Sequence, residues 1–172
     1  PGPIDAAQQE NFLRAIGSAQ LANIFVTHTH GDHSPAAKQL AELTGARLVG
    51  INAPQALGQD HSFVSDIDCE DGAVISCEDG AASYSLQMIH TPGHVSNHLC
   101  FLLREEGLLF TGDHVLQGTT PVILPPDGDM SDYLASLNKL LELPLIKLAP
   151  AHGAVMDAPF TEIEKLIAHR LK

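Results

Sequence analysis

The stretch IFVTHTHGDHSPAA, Ile24 to Ala37, crowds three histidines and one aspartate into six positions between an apolar run and a run of small residues. The apolar run reads as a buried strand over 21–27. Ser34 then Pro35 reads as an N-cap and a first-turn proline, opening a helix over 36–44 that Gly45 stops. The polar cluster therefore fills a strand-to-helix loop. The same arrangement recurs downstream, where His94 in HTPGHVSNH, Asp113 in LLFTGDH and His152 in LAPAHGAV each follow an apolar run. Pro92, Gly93, Gly112, Pro150 and Gly153 stand beside them and permit tight turns. Side chains at several strand ends can thus be aimed into one cleft, which is how loops on a rigid scaffold build a site.

The rest of the chain alternates strands and helices. Asp5 caps a helix to Ile16 that ends at Gly17, and strands are expected over 47–51, 73–77, 84–90, 99–104, 108–111 and 145–149. Ser131 is the expected cap of a helix reaching Leu143, and Thr161 with Glu164 forms a capping-box signature for the last one. Residues 118–129 read as a loop, and 53–71 are turn-rich without an assignment. The class is α/β.

Imidazole and carboxylate together suit Zn2+ and related first-row divalent ions, and seven such groups exceed what one tetrahedral ion takes. Two ions are the natural count. Other polar residues read more plainly. His61, His90, His98 and His169 are expected to be structural, while His114, beside Asp113, stands between the two readings. Asp66, Asp68, Glu70 and Asp71 lack the spacing of an EF-hand and read as a solvated loop. Tyr133 reads as packing, with Leu134, Leu137, Leu140 and Leu141 as a buried helix face.

Acidic residues outnumber basic ones 21 to 9 for a formal charge of -12, which repels polyanions and favours a small-molecule substrate. No apolar stretch approaches the roughly 20 residues of a membrane span. Cys69, Cys77 and Cys100 match no CxxC spacing and read as reduced thiols, and no secretory leader is read at the start, so the expected setting is cytoplasmic.

In this order, His28, His30, Asp32 and His33 as HxHxDH, then His94, Asp113 and His152, resemble the metallo-beta-lactamase-fold hydrolases over nearly the whole chain. The resemblance implies an αββα sandwich. It implies that His28, His30 and His94 hold one ion, Asp32, His33 and His152 the second, and that Asp113 bridges both. Aspartate at 113, where zinc beta-lactamases typically carry cysteine, points away from penicillin-like substrates. HxHxDH likewise points away from flavodiiron proteins. GDHVLQGTTPVILPPDGDMSDYLASLNKL and IEKLIAHRLK resemble the lactamase-B-like subgroup that includes an endoribonuclease, more than they resemble glyoxalase II. In that subgroup strands precede the equivalent of PGPID and a helical extension follows His169 and Arg170. The expectation is one domain over 1–172, truncated at both ends, whose incomplete first sheet is open to a second copy of the chain.

The implied activity is that of a dinuclear zinc hydrolase, with iron or manganese as the other metals such a set takes. A hydroxide shared by the ions would attack an ester, thioester, lactone or phosphodiester, with Asp32 handling its proton. Subgroup resemblance adds single-stranded RNA to the small molecules as a substrate class. The alternatives are a persulfide dioxygenase with one iron on His28, His94 and Asp113, and a non-catalytic fragment.

Overall fold

The computed structural model describes residues 1–79 and 82–172, and the chain divides into two compact units, Pro1–Cys69 and Glu70–Lys172. In the first unit, α1 (Ala6–Ile16) begins where Asp5 accepts a hydrogen bond from the Gln8 amide at 2.7 Å, as its sequence position implies. β1 (Asn23–Phe25) pairs in parallel with β2 (Arg47–Val49), and α2 (Ala36–Thr44) connects them. This is a βαβ unit, and its connection carries the histidine-rich loop. Gly45 closes α2 in the left-handed region at φ 75, a conformation that costs a side-chain-bearing residue about 1 kcal/mol or more. Ile24, Val26, Ala37, Leu40, Leu48 and Phe63 form the core of this unit.

The first sheet has two strands among the described residues. Beside β1 lies an apolar groove of about 360 Å3 bordered by Phe12, Ile16, Leu21, Ile24 and Leu40. Residues 50–69 form no strand or helix, yet side chains fix them: the Asp66 carboxylate takes the Leu48 amide at 2.7 Å, and Ser65 bonds Gly50 and Ile67.

The second unit is built on a five-stranded sheet in sequence order: β3 (Val74–Asp79), β4 (Ala82–His90), β5 (Leu99–Leu103), β6 (Leu108–Gly112) and β7 (Lys147–Pro150). The first four strands form an antiparallel meander, and β7 joins β6 in parallel after the crossover through α3 (Met130–Leu140). Pairing sets Ile89 opposite Cys100, Leu102 opposite Leu109 and Leu109 opposite Leu148. Period-two alternation puts these residues on one face. Leu137 and Leu140 of α3 and Ile163 and Leu166 of α4 (Pro159–Arg170) pack against that face. Each such buried side chain stabilises the fold by roughly 1.5–3 kcal/mol relative to exposure.

Three expected caps are corrected. α3 is capped by Asp129, whose extended backbone (φ -135) lets its carboxylate accept from the Ser131 and Asp132 amides; Ser131 itself is already helical. α2 has no side-chain cap, because the Ser34 hydroxyl donates to Asp60 at 2.7 Å instead. α4 starts at Pro159, so Thr161 lies inside its first turn.

Candidate metal centre

In the first unit the chain leaves β1 and gathers His28, His30, Asp32 and His33 into one turn, closed by the His33 amide donating to the His30 carbonyl at 3.0 Å. His28 is 1% exposed. Its Nε2 lies 3.1 Å from His30 Nδ1, and its ring centroid lies 4.0 Å from that of His33. His33 Nε2 is 3.4 Å from an Asp32 carboxylate oxygen. Asp32 is over half exposed, whereas the His33 ring is buried. The loop is held from outside by residues that the sequence reading left unassigned. Thr29 donates to Gln59 at 2.5 Å, and the Asp60 amide donates to the Thr29 carbonyl at 2.6 Å. Asp60 also takes the Ser34 and Ser62 hydroxyls. Desolvation raises its pKa, but the hydrogen bonds from Ser62 and Ser34 and the nearby His61 outweigh that and hold the carboxyl below its ordinary value.

In the second unit, His94 follows β4, Asp113 follows β6 and His152 follows β7, so three strand ends bring these groups together. His94 Nδ1 lies 2.6 Å from the Val122 carbonyl. A carbonyl only accepts, so Nδ1 carries a proton and Nε2 is the nitrogen left to face an ion, the arrangement that orients a metal-binding imidazole. That Nε2 is 3.8 Å from Asp113 Oδ2, while His152 Nε2 is 3.6 Å from Asp113 Oδ1. Such separations are long for hydrogen bonds. They approach the roughly 3.3 Å between neighbouring donors on a tetrahedral ion with bonds of about 2.0 Å. The donor set of each unit, nitrogen and carboxylate oxygen, fits a divalent first-row ion.

The remaining histidines separate clearly. His61 and His169 are exposed. His90 bonds the Ser96 carbonyl through Nε2 at 2.9 Å. His114 is wholly buried, its ring 4.8 Å from that of Tyr133, whose hydroxyl donates to the His114 carbonyl at 2.9 Å. Burial pushes the His114 pKa down to about 3, so the ring is neutral and takes no charge into the core. Tyr133 is packing, as expected. His98 is the residue that sequence reading undervalues: it is buried and hydrogen-bonded to the Asp113 amide. Its place just before β5 carries no local signal of that contact.

The metallo-beta-lactamase superfamily model matches residues 2–152. An atrochrysone carboxyl ACP thioesterase, AgnL7 of Paecilomyces divaricatus, is 39% identical over 142 residues, 81% of this chain and 40% of that protein. The lactamase-like protein aptB of Emericella nidulans is 37% identical over 152 residues, 87% of this chain and 44% of that protein. The chain thus spans less than half the length of these relatives. Among solved structures, the metallo-beta-lactamase family protein TTHA1429 of Thermus thermophilus superposes with a TM-score of 0.77 at 24% identity, covering 99% of this chain and 68% of that one. Mixed α/β architecture, strand-end histidines and aspartates, and the match over 2–152 agree: the chain belongs to the metallo-beta-lactamase superfamily.

Proposed function

We propose that this chain carries the metal-binding part of a hydrolase that uses two divalent ions, zinc in our reading. As the family resemblance implies, His28, His30 and His94 would hold one ion, Asp32, His33 and His152 would hold the other, and Asp113 would serve both. The observation that supports this most directly is the placement of Asp113. Its Oδ2 faces His94 and its Oδ1 faces His152, two histidines that the assignment puts on different ions. A carboxylate can serve two ions in this way because each oxygen offers its own lone pairs.

When bound, the ions supply a nucleophile from water at neutral pH and polarise the oxygen of the scissile group. The chain's own residues do the rest. Val122, through its carbonyl, fixes the His94 tautomer, and the Gln59–Asp60 segment holds the loop of His28 to His33 in place. Asp32, the most exposed member of its cluster, is placed to accept and release a proton. The substrate class is an ester, thioester, lactone or phosphodiester. The thioesterase name of the Paecilomyces relative puts a thioester first.

The test combines elemental analysis with a substrate panel read by thiol release. We expect about two zinc ions per chain and hydrolysis of the thioester. Asp113→Ala should lose both ions and at least about 100-fold in rate, since outer-shell changes alone cost 10–100-fold. His152→Gln should lose mainly one ion. Full retention of both ions by Asp113→Ala defeats the bridging assignment. One iron per chain with oxygen uptake on glutathione persulfide would replace hydrolysis by the dioxygenase reading.

A further inference from the structure

Behind Asp113, in the second unit, lies a run of buried polar groups that the metal assignment does not use. The Asp113 amide donates to His98 Nε2 at 3.2 Å. An amide N–H can only donate, so Nε2 holds a lone pair and the proton of the neutral ring sits on Nδ1. That nitrogen is 2.9 Å from Thr91 Oγ1. Thr91, having accepted there, has its own hydroxyl proton to give, and Cys100 Sγ lies 3.4 Å away. Burial pushes the Cys100 thiol up to about 12, so it stays protonated and donates to the Thr111 carbonyl at 3.7 Å. His98, Thr91, Cys100 and Thr111 are each 0% exposed.

The relay has a direction and closes on itself. It starts at the Asp113 amide and ends at the Thr111 carbonyl, so both ends grip the same turn at the end of β6. We infer that His98 is a positioning residue for the Asp113 carboxylate, fixing through its Nδ1–H tautomer the backbone direction from which that side chain departs. The purpose assigned to this relay rests on the metal reading above; its geometry does not. The opposite tautomer would set an Nε2–H against the Asp113 N–H, donor against donor. A carboxylate that must serve two partners with different oxygens tolerates misplacement of only about 0.5 Å. The turn has other supports, since the His114 amide donates to the Thr111 carbonyl at 2.9 Å and Thr111 Oγ1 to the Val115 carbonyl at 2.8 Å. Variants at 98 should therefore still fold.

Two substitutions divide the ring's functions. Gln can place an acceptor near the Nε2 position and keep the bond from Asp113, whereas Asn reaches only the Nδ1 position and keeps the bond to Thr91. Zinc affinity by competition with a chromophoric chelator is expected to fall 10–100-fold in His98→Asn. His98→Gln should recover most of that loss, at a thermal midpoint no higher than that of His98→Asn. Long-range 1H–15N correlation of the unsubstituted protein is expected to show the Nδ1–H tautomer with Nε2 coupled to the Asp113 amide. An Nε2–H tautomer overturns the inference whether or not metal binds, and so does parent-like zinc affinity in His98→Asn. If the protein takes up no divalent ion while the tautomer and coupling are as stated, the relay stands and the metal reading falls.

Discussion

At Gly93 a single hydrogen atom decides whether His94 can be where it is. The residue has φ 136, and a Cβ built there would lie 2.3 Å from the Tyr133 Cα and 2.5 Å from its backbone nitrogen. Those are main-chain atoms of α3 and cannot rotate away. Gly93→Ala should therefore destabilise the protein by about 3 kcal/mol or more, combining backbone strain with overpacking. Urea denaturation measures this, and a loss below about 1 kcal/mol would show that α3 retreats without cost. The loop is tied to α3 on both sides of the glycine: Ser136 donates to the Pro92 carbonyl at 2.8 Å, and the Asp129 amide to the Gly93 carbonyl at 2.9 Å. Proline and glycine before His94 suggest a turn from sequence alone. That the glycine is required by a helix much later in the chain is not visible there, because nothing local encodes the approach of Tyr133.

Between elements, Lys139 of α3 reaches both Asp71 oxygens at 2.6 Å and the His90 carbonyl at 3.0 Å, while the His90 amide donates to Asp71 at 2.8 Å. This clamp joins the end of β4, the segment before β3 and the last turn of α3. Desolvation raises the Asp71 pKa, but the Lys139 and His90 hydrogen bonds and the Lys139 charge outweigh it, leaving the carboxyl below its ordinary value. A depressed carboxyl stabilises the fold above its unfolded pKa, about 3.9, and that contribution disappears as pH falls through the folded value. Asp71→Asn should cost about 1 kcal/mol or less at pH 7, as befits a partly exposed pair. The gap to the parent in urea midpoint should close below about pH 4; a gap that is constant from pH 7 to 3 would assign the effect to packing. In the sequence Asp71 falls in an acidic stretch with the look of a solvated loop, since its cation is 68 residues away. Strand positions and the helix over 36–44 are legible because apolar periodicity and Gly45 are local signals. The caps of α2, α3 and α4 are not, because neighbouring polar residues compete for each role and the backbone dihedrals decide among them. Residues 53–71 are opaque for a related reason: Ser65, Asp60 and Asp66 order them through individual hydrogen bonds that leave no period.

The whole chain carries a formal charge of -12, and two divalent ions would bring it only to -8, by adding four positive charges. An anionic substrate meeting this chain is therefore repelled at a distance even though the proposed ions would attract it at contact. Salt screens the long-range part first, because the Debye length is about 30 Å at 0.01 M and about 8 Å at 0.15 M. For a pair of thioesters that differ only in a remote carboxylate, kcat/KM of the anionic one should rise severalfold from low to physiological ionic strength. The neutral one should stay level, which removes any direct effect of salt on the chemistry or on metal occupancy. Single-stranded RNA sharpens the contrast. Its binding to a basic surface weakens with salt by counterion release, so a binding curve that weakens steeply from about 50 to 200 mM salt would reveal a local cationic track that the overall charge conceals. We expect no such weakening, and a fall in kcat/KM for the anionic thioester with rising salt would show that local positive charge, rather than the net field, governs encounter.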